Sequence, residues 1–282
     1  MTWRELWTRA EAALGSRMDA RRIVERASGY DGATLAAHLD EDVPARAVPF
    51  AQAMIERRGG GEPLQYVVGR WGFRRLELLV DRRVLIPRPE TEVVVEVALG
   101  ELKRLPAPSP VVVDLGVGSG AIALSIAHEA PTAQVWATDV SAAALAVSRA
   151  NLAGLGSADA TRVRLAEGRW FDAVPADLHG HVDLVVSNPP YVTEAEAAEL
   201  PREVGEWEPR EALVAGPTGL EAIAEIVAEA PAWLARPGAV VVEIAPHQAE
   251  AARAQARAAG FTQVDVRPDL QGRLRALVGR VD

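Results

Sequence analysis

Four consecutive residues, Asn188-Pro189-Pro190-Tyr191, combine the chemical types needed to grip one planar NH2 group. The Asn188 side-chain oxygen and the Pro189 backbone carbonyl can each accept one of its hydrogens, and the Tyr191 ring can pack on its flat face. Pro189 and Pro190 stiffen the chain, because two successive prolines cannot continue a sheet ladder. An amide or aromatic amino nitrogen is a poor nucleophile, since its lone pair is delocalised. Two fixed acceptors stabilise the pyramidal, partly positive nitrogen of a transition state more than they stabilise the ground state. Its proton can leave after group transfer, so no general base is required beforehand. The blander reading of the tetrapeptide is a rigid turn that caps a strand.

A second cluster, Asp114-Leu115-Gly116-Val117-Gly118-Ser119-Gly120, lies between an apolar run and an apolar helical stretch. Glycines there allow a sharp turn and let a ligand approach the backbone beside a helix N-terminus. A dinucleotide fingerprint spaces its glycines G-x-G-x-x-G, whereas here the third comes one residue early and an acidic residue precedes the first. This form resembles the loop of S-adenosylmethionine-dependent methyltransferases, which makes a methyl sulfonium the expected electrophile. Asp139, about twenty residues further on, can accept hydrogen bonds from both ribose hydroxyls. Its alternative role is to cap the helix that starts near Ser141. Trp170 and Phe171 follow the third strand candidate; Trp170 is divided between an adenine-facing and a core position, and Phe171 is assigned to the core.

These residues need elements to position them. From Glu90 onward, strand and helix patterns alternate, as in a doubly wound, mostly parallel α/β sheet of Rossmann-like type. Strand candidates are 111–115, 134–139, 163–166, 182–187, 239–244, 264–267 and 274–278; helical stretches are 121–129, 142–151, 220–235 and 248–259. Runs such as VVVDL and VDLVVS call for burial on both faces. Before them, residues 1–60 carry apolar positions at helical spacing, punctuated by Gly15, Gly29, Gly32, Pro44 and Pro49, and read as several short packed helices. Residues 61–83 contain two aliphatic segments, Leu64 to Val68 and Leu76 to Val80, read as the two strands of a β-hairpin linker to a domain spanning 84–282.

With 282 residues, 49% of them hydrophobic, the chain can bury a substantial core. The absence of cysteine removes disulfides, thiolate metal sites and cysteine nucleophiles, and no metal site is expected. A formal net charge of −9 argues against a phosphate backbone as the substrate. No apolar run approaches a bilayer span, and the N-terminus mixes charges into its apolar positions, so a cytoplasmic protein with no membrane partner is expected.

The motifs together resemble one family, the protein-glutamine amide methyltransferases of peptide chain release factors (the HemK/PrmC family). The resemblance rests on Gly61-Glu62-Pro63-Leu64-Gln65-Tyr66, Leu85-Ile86-Pro87-Arg88-Pro89-Glu90-Thr91-Glu92, the glycine loop and the Asn188 tetrapeptide. It extends through Glu206-Trp207-Glu208-Pro209-Arg210-Glu211-Ala212-Leu213, Gly219-Leu220, Glu243 and Gln248. It implies S-adenosylmethionine as cofactor and class I release factors as partners, with methyl transfer to the glutamine of their Gly-Gly-Gln motif and an N-terminal helical domain that helps to present them. By the same resemblance Gly116, Val117, Gly118, Ser119, Gly120, Asp139, Trp170 and Asn188 are cofactor-binding. Asn188, Pro189, Pro190 and Tyr191 are substrate-binding, with Asn188, Pro189 and Tyr191 catalytic. Arg88 and Glu90 are read as structural. The chain departs from the family pattern at Val117, at Arg169, where an acidic residue commonly precedes the Trp, and at Ala215-Gly216-Pro217-Thr218. Three other readings stand beside this one: a glutamine methyltransferase of a large-subunit ribosomal protein, an adenine amino methyltransferase on nucleic acid, and a non-catalytic cofactor-binding scaffold.

Overall fold

The Gly-rich loop and the Asn188 tetrapeptide leave neighbouring strands of one seven-stranded sheet. A computed structural model describes residues 1–282, and its contacts divide the chain into two compact units, Met1–Trp71 with Pro201–Trp207, and Gly72–Leu200 with Glu208–Asp282. No helix is long and apolar enough to cross a membrane.

The first unit is helical: α1 (Trp3–Leu14), α2 (Arg17–Ser28), α3 (Gly32–Ala37), α4 (Ala47–Gly59) and α5 (Leu64–Val68), joined by the later short helix that lies at 202–205. Local chemistry sets its first boundaries. Thr2 and Glu5 form a capping box at the start of α1, Gly15 ends it in the left-handed conformation, and Ser16 caps α2 one residue later. Ile23, Met54, Leu64 and Val67 pack in one apolar cluster, Trp3, Leu6, Val24 and Leu35 in another. Inside this unit Arg58 pairs with Asp19 at 2.6 Å and with Glu203 at 2.7 Å, which fastens the 201–207 segment to the helices.

The segment Leu64 to Val68 corrects the sequence reading: it is a helix, and the hairpin is formed by β1 (Arg70–Phe73) and β2 (Leu76–Leu79). Leu-Gln-Tyr-Val-Val is too short for period to separate strand from helix. Pro63 opens this turn of helix and Gly69, at φ 72°, closes it.

The second unit continues with α6 (Pro89–Leu102), β3 (Val111–Leu115), α7 (Ala121–Glu129), β4 (Gln134–Asp139), α8 (Ala142–Gly154), α9 (Ser157–Ala160), β5 (Val163–Glu167) and β6 (Val182–Ser187). After β7 (Val192–Thr193), α10 (Glu194–Ala197), the first unit's α11 (Arg202–Gly205) and β8 (Val214–Gly216) come α12 (Glu221–Trp233), β9 (Leu234–Glu243), α13 (Ala249–Ala258), β10 (Gln263–Pro268) and β11 (Leu274–Val281). The sheet runs β10-β11-β9-β6-β3-β4-β5. Pairings from β9 to β5 are parallel, and β11 is antiparallel to both β9 and β10. Alternation along each strand serves two layers. Val112, Leu184 and Val241 join the cluster with α6 and α7, whereas Val113, Val185 and Val240 join the cluster with α12 and α13. Fully burying each such side chain contributes about 1.5–3 kcal/mol.

From β3 the chain proceeds to β4 and β5 on one side, and from β6 to β9 on the other. The strand order therefore reverses between β3 and β6. Open α/β sheets bind ligands at the carboxyl ends of the strands at such a point. Ser187, the last residue of β6, donates its hydroxyl to the Leu115 carbonyl at the end of β3 at 2.6 Å and fixes the two strand ends together.

Candidate active site

At that strand reversal lies a cavity of about 380 Å³ within the second unit. Gly116, Val117, Gly118, Ser119, Asp139, Trp170, Asn188, Pro189 and Pro190 all line it. Two residues singled out from sequence stand behind its wall: Gly120 at the start of α7 and Tyr191 in the apolar cluster beneath the sheet edge.

The loop turns through positive φ at Gly116 (78°), Gly118 (54°) and Gly120 (91°). At Gly120 a Cβ would also lie 2.9 Å from Leu124 Cδ1, one turn further along α7, so the positive φ and the crowded first turn of the helix both favour glycine. Asp114, 1% exposed, accepts the Ala123 N–H with one oxygen at 2.9 Å, while its other oxygen has no partner. Burial pushes its carboxyl up to about 7. Asn151 braces the loop from behind, donating its amide to the Ser119 and Leu79 carbonyls at 2.8 and 3.0 Å.

Asp139 ends β4 with both oxygens engaged by backbone, one by Gly118 N–H and one by Ser141 N–H, each at 2.9 Å. Burial raises its pKa against the opposing effect of those two hydrogen bonds. The helix cap proper is Ser141, whose hydroxyl accepts the Ala144 N–H. Asp139 is thus a lining carboxylate fixed in place by the loop it faces.

Trp170 sits at φ 43°, a left-handed backbone that costs a non-glycine residue on the order of 1–3 kcal/mol. Two bonds hold it there: Thr138 donates to its carbonyl at 2.8 Å and its indole N–H donates to Glu225 on α12 at 2.7 Å, a carboxylate that Arg169 also engages. Phe171 is 3% exposed and stacks on Trp233, in the core as its sequence position suggested.

Behind the tetrapeptide lies a polar cluster in which sequence reasoning assigned no role to Thr91, Glu243 or Gln248. Asn188 Nδ2 donates to Thr91 Oγ1, in the first turn of α6, at 3.1 Å. Tyr191 donates its hydroxyl to Glu243 at 3.2 Å. Glu243, at the end of β9, is 1% exposed, and burial raises its carboxyl to about 7. The Thr91 hydroxyl acts on the same carboxylate to favour its ionised form, although Glu243 Oε2 has no partner at full hydrogen-bonding distance. The Tyr191 phenol is driven well above its usual range, by burial first and by the Glu243 charge second. Gln248, 3% exposed, donates to the Tyr191 and Gly219 carbonyls at 2.9 and 3.0 Å and accepts from Ala245 N–H. Arg88 pairs with buried Glu208, whose other oxygen accepts Ile86 N–H, and Glu90 pairs with Arg273. The signals for Glu243 and Gln248 in the sequence were their place in the family resemblance and their polarity at the end of, and just after, the apolar run that forms β9.

Comparison with known proteins places this geometry among methyltransferases. Residues 99–203 match the family described as "Methyltransferase small domain", and residues 5–69 match "PrmC N-terminal domain". A Cereibacter sphaeroides protein named release factor glutamine methyltransferase is 41% identical, across 93% of this chain and 90% of its own length. Proteins of that name from Bordetella pertussis and Deinococcus radiodurans are 44% and 38% identical, over 91% and 99% of this chain and 92% and 99% of their own lengths. Among solved structures, the hMettl16 catalytic domain in complex with an RNA hairpin covers 92% of this chain and 90% of that one, with TM-score 0.55 at 15% identity. A Pyrococcus furiosus methyltransferase covers 73% and 88%, with TM-score 0.51 at 19% identity. These two support the fold alone.

Proposed function

The chain belongs to the family of release factor glutamine methyltransferases, and from that membership we infer that it methylates the side-chain amide of the glutamine in the Gly-Gly-Gln motif of bacterial release factors. The observation that carries the reading at residue level is the orientation of Asn188. Its NH2 end is committed to Thr91, which leaves the oxygen end of the amide for a substrate hydrogen.

S-adenosylmethionine, when bound, supplies a methyl group activated as a sulfonium. The residues present suit it: Gly116 to Gly120 give an open backbone at the start of α7, Asp139 offers a carboxylate for ribose hydroxyls, and Trp170 offers an aromatic wall for adenine. Asn188 and Pro189 hold the substrate nitrogen by both hydrogens. Their rigid attachment to β6 keeps those acceptors in place as charge develops on the nitrogen, so little reorganisation is needed. Pro190 completes that wall, and Tyr191 anchors the tetrapeptide from below through Glu243.

The test is transfer of labelled methyl from S-adenosylmethionine to a purified release factor and to the same factor with its Gly-Gly-Gln glutamine changed to alanine. Labelling of the first alone supports the assignment. Equal labelling of both removes it.

A further inference from the structure

We propose that Glu225, on α12, is the residue that selects adenine in the cofactor, accepting a hydrogen of its 6-amino group with the carboxylate oxygen that Trp170 leaves unused. The inference deepens the function proposed above: it rests on S-adenosylmethionine as the cofactor and on Trp170 as the wall for its base.

Four acidic side chains line the cavity: Asp139, Glu211, Glu221 and Glu225. Three have a place elsewhere. Asp139 is the carboxylate for the ribose hydroxyls, and Glu211 is near enough to act on its charge, which puts both at the ribose end. Glu221 Oε1 accepts the N–H and the hydroxyl of Thr218, each at 2.8 Å, and its Oε2 is buried, so this residue ties down the start of its own helix. Glu225 stands one turn further along α12. Its Oε2 accepts the Trp170 indole N–H at 2.7 Å and the Arg169 guanidinium, whereas its Oε1 accepts no hydrogen bond from the protein. The side chain is 46% exposed and belongs to the cavity wall, so a ligand there can reach that oxygen.

The indole sets where the oxygen stands. Its Cζ3 edge lies against the glycine loop, since a Cβ on Gly116 would be 3.6 Å from that atom, and its Nε1 edge is bound to Glu225. A purine stacked on the ring, with its ribose beside the loop and Asp139, points its far edge at α12. The 6-amino group of adenine is on that far edge, remote from the ribose. Glu225 is therefore the acid that meets it.

A carboxylate accepts and cannot donate. It suits the NH2 that adenine carries at C6 and opposes the carbonyl that hypoxanthine or guanine carries there, acceptor against acceptor. A site built to hydrogen-bond one polar group rejects an analogue that leaves the pair mismatched. Arg169 and Trp170 hold Oε2 in place, so the other oxygen keeps its aim.

The test compares S-adenosylhomocysteine with S-inosylhomocysteine, which has a carbonyl at the same carbon, by titration calorimetry on the wild type and on Glu225→Gln. Glutamine keeps the shape of the residue. Its carbonyl accepts the indole N–H, which turns its NH2 toward the base and offers a donor where the acid offered an acceptor. The wild type is expected to prefer the adenosyl ligand, and Glu225→Gln to shift the ratio of the two dissociation constants about 10-fold or more toward the inosyl ligand, as one charge-assisted hydrogen bond implies. Glu225→Ala should narrow the wild-type ratio without favouring either base. Backbone contributions to base recognition are common to all three proteins and cancel in the comparison. A loosened Trp170 wall weakens both ligands alike, so a purely structural role leaves the ratio where it was. A ratio unchanged by Glu225→Gln overturns the proposal. Failure of the wild type to bind S-adenosylhomocysteine would remove the cofactor assignment and this proposal with it. Binding without methyl transfer to a release factor would count against the function alone, and the ratio would still decide the role of Glu225.

Discussion

The indole N–H of Trp170 donates to the Glu225 carboxylate at 2.7 Å, and the same oxygen receives Arg169. A residue of α12 thus sets the tilt of an aromatic wall that belongs to the turn after β5. It also gives Arg169 a structural use at the position where the family more commonly has an acid. Glu225→Ala removes the brace from a backbone already in a costly conformation. The affinity for S-adenosylmethionine is expected to fall about 3- to 10-fold, as one charge-assisted hydrogen bond implies, measurable by titration calorimetry. Unaltered affinity would mean that Trp170 is held by Thr138 and packing alone.

Asn188→Ala should cut kcat by roughly two orders of magnitude or more while cofactor affinity changes much less, because its oxygen acts most strongly when charge has developed on the nitrogen. Single-turnover rates beside equilibrium binding would separate the two effects. A drop confined to binding would make Asn188 a cofactor ligand only.

Gly219 has φ 74°, and a Cβ there would lie 2.5 Å from the Tyr191 carbonyl and 2.7 Å from Gln248 Nε2. Both contacts belong to the bond that holds the end of the tetrapeptide. Gly219→Ala is expected to destabilise the fold by about 1–3 kcal/mol and to reduce turnover, although this glycine lines no part of the cavity. Thermal denaturation together with kcat tests it, and full activity at wild-type stability would contradict the linkage.

The buried Asp114 carboxyl, raised to about 7, carries a pH signature. Between about pH 4 and 7 the unfolded chain releases this proton while the folded chain keeps it. Fewer protons bound in the unfolded state means that stability falls as pH rises through that window and levels off above it. Asp114→Asn still accepts the Ala123 N–H but has no proton to lose. Relative to wild type it should gain stability progressively from pH 4 to 7, on the order of 3 kcal/mol at the upper end. Denaturant melts at pH 4.5 and 7.5 give the difference directly; a constant offset at both values would place the Asp114 pKa in the ordinary range.

How far these features could be read from sequence depended on how local they were. The glycine loop, Asp139 and the tetrapeptide are short motifs at the ends of strands, where a residue's type and its neighbours already indicate its surroundings. The alternation of apolar runs with helical stretches gave the parallel sheet for the same reason. Leu64 to Val68 was misread because five apolar residues fit either period, and the deciding features, Pro63 and Gly69, flank the run. Thr91, Glu243 and Gln248 were beyond local reasoning altogether. Thr91 and Asn188 are 97 residues apart in the chain, so their pairing exists only once α6 and β6 have packed. Tyr191, read from its ring as a platform for substrate, lies in the structure with its hydroxyl on a carboxylate that sequence gave no reason to place beneath it.

The Ser187 hydroxyl on the Leu115 carbonyl has a wider consequence. Parallel strands stand about 4.8 Å apart whatever their side chains, and the loops that would carry methyl donor and methyl acceptor each leave from one of the two strands that this bond ties. The gap across which the carbon must travel is thereby ruled by the backbone lattice, and no hinge has to set it. Substrate choice can drift through the outer loops while the reach of the reaction stays constant.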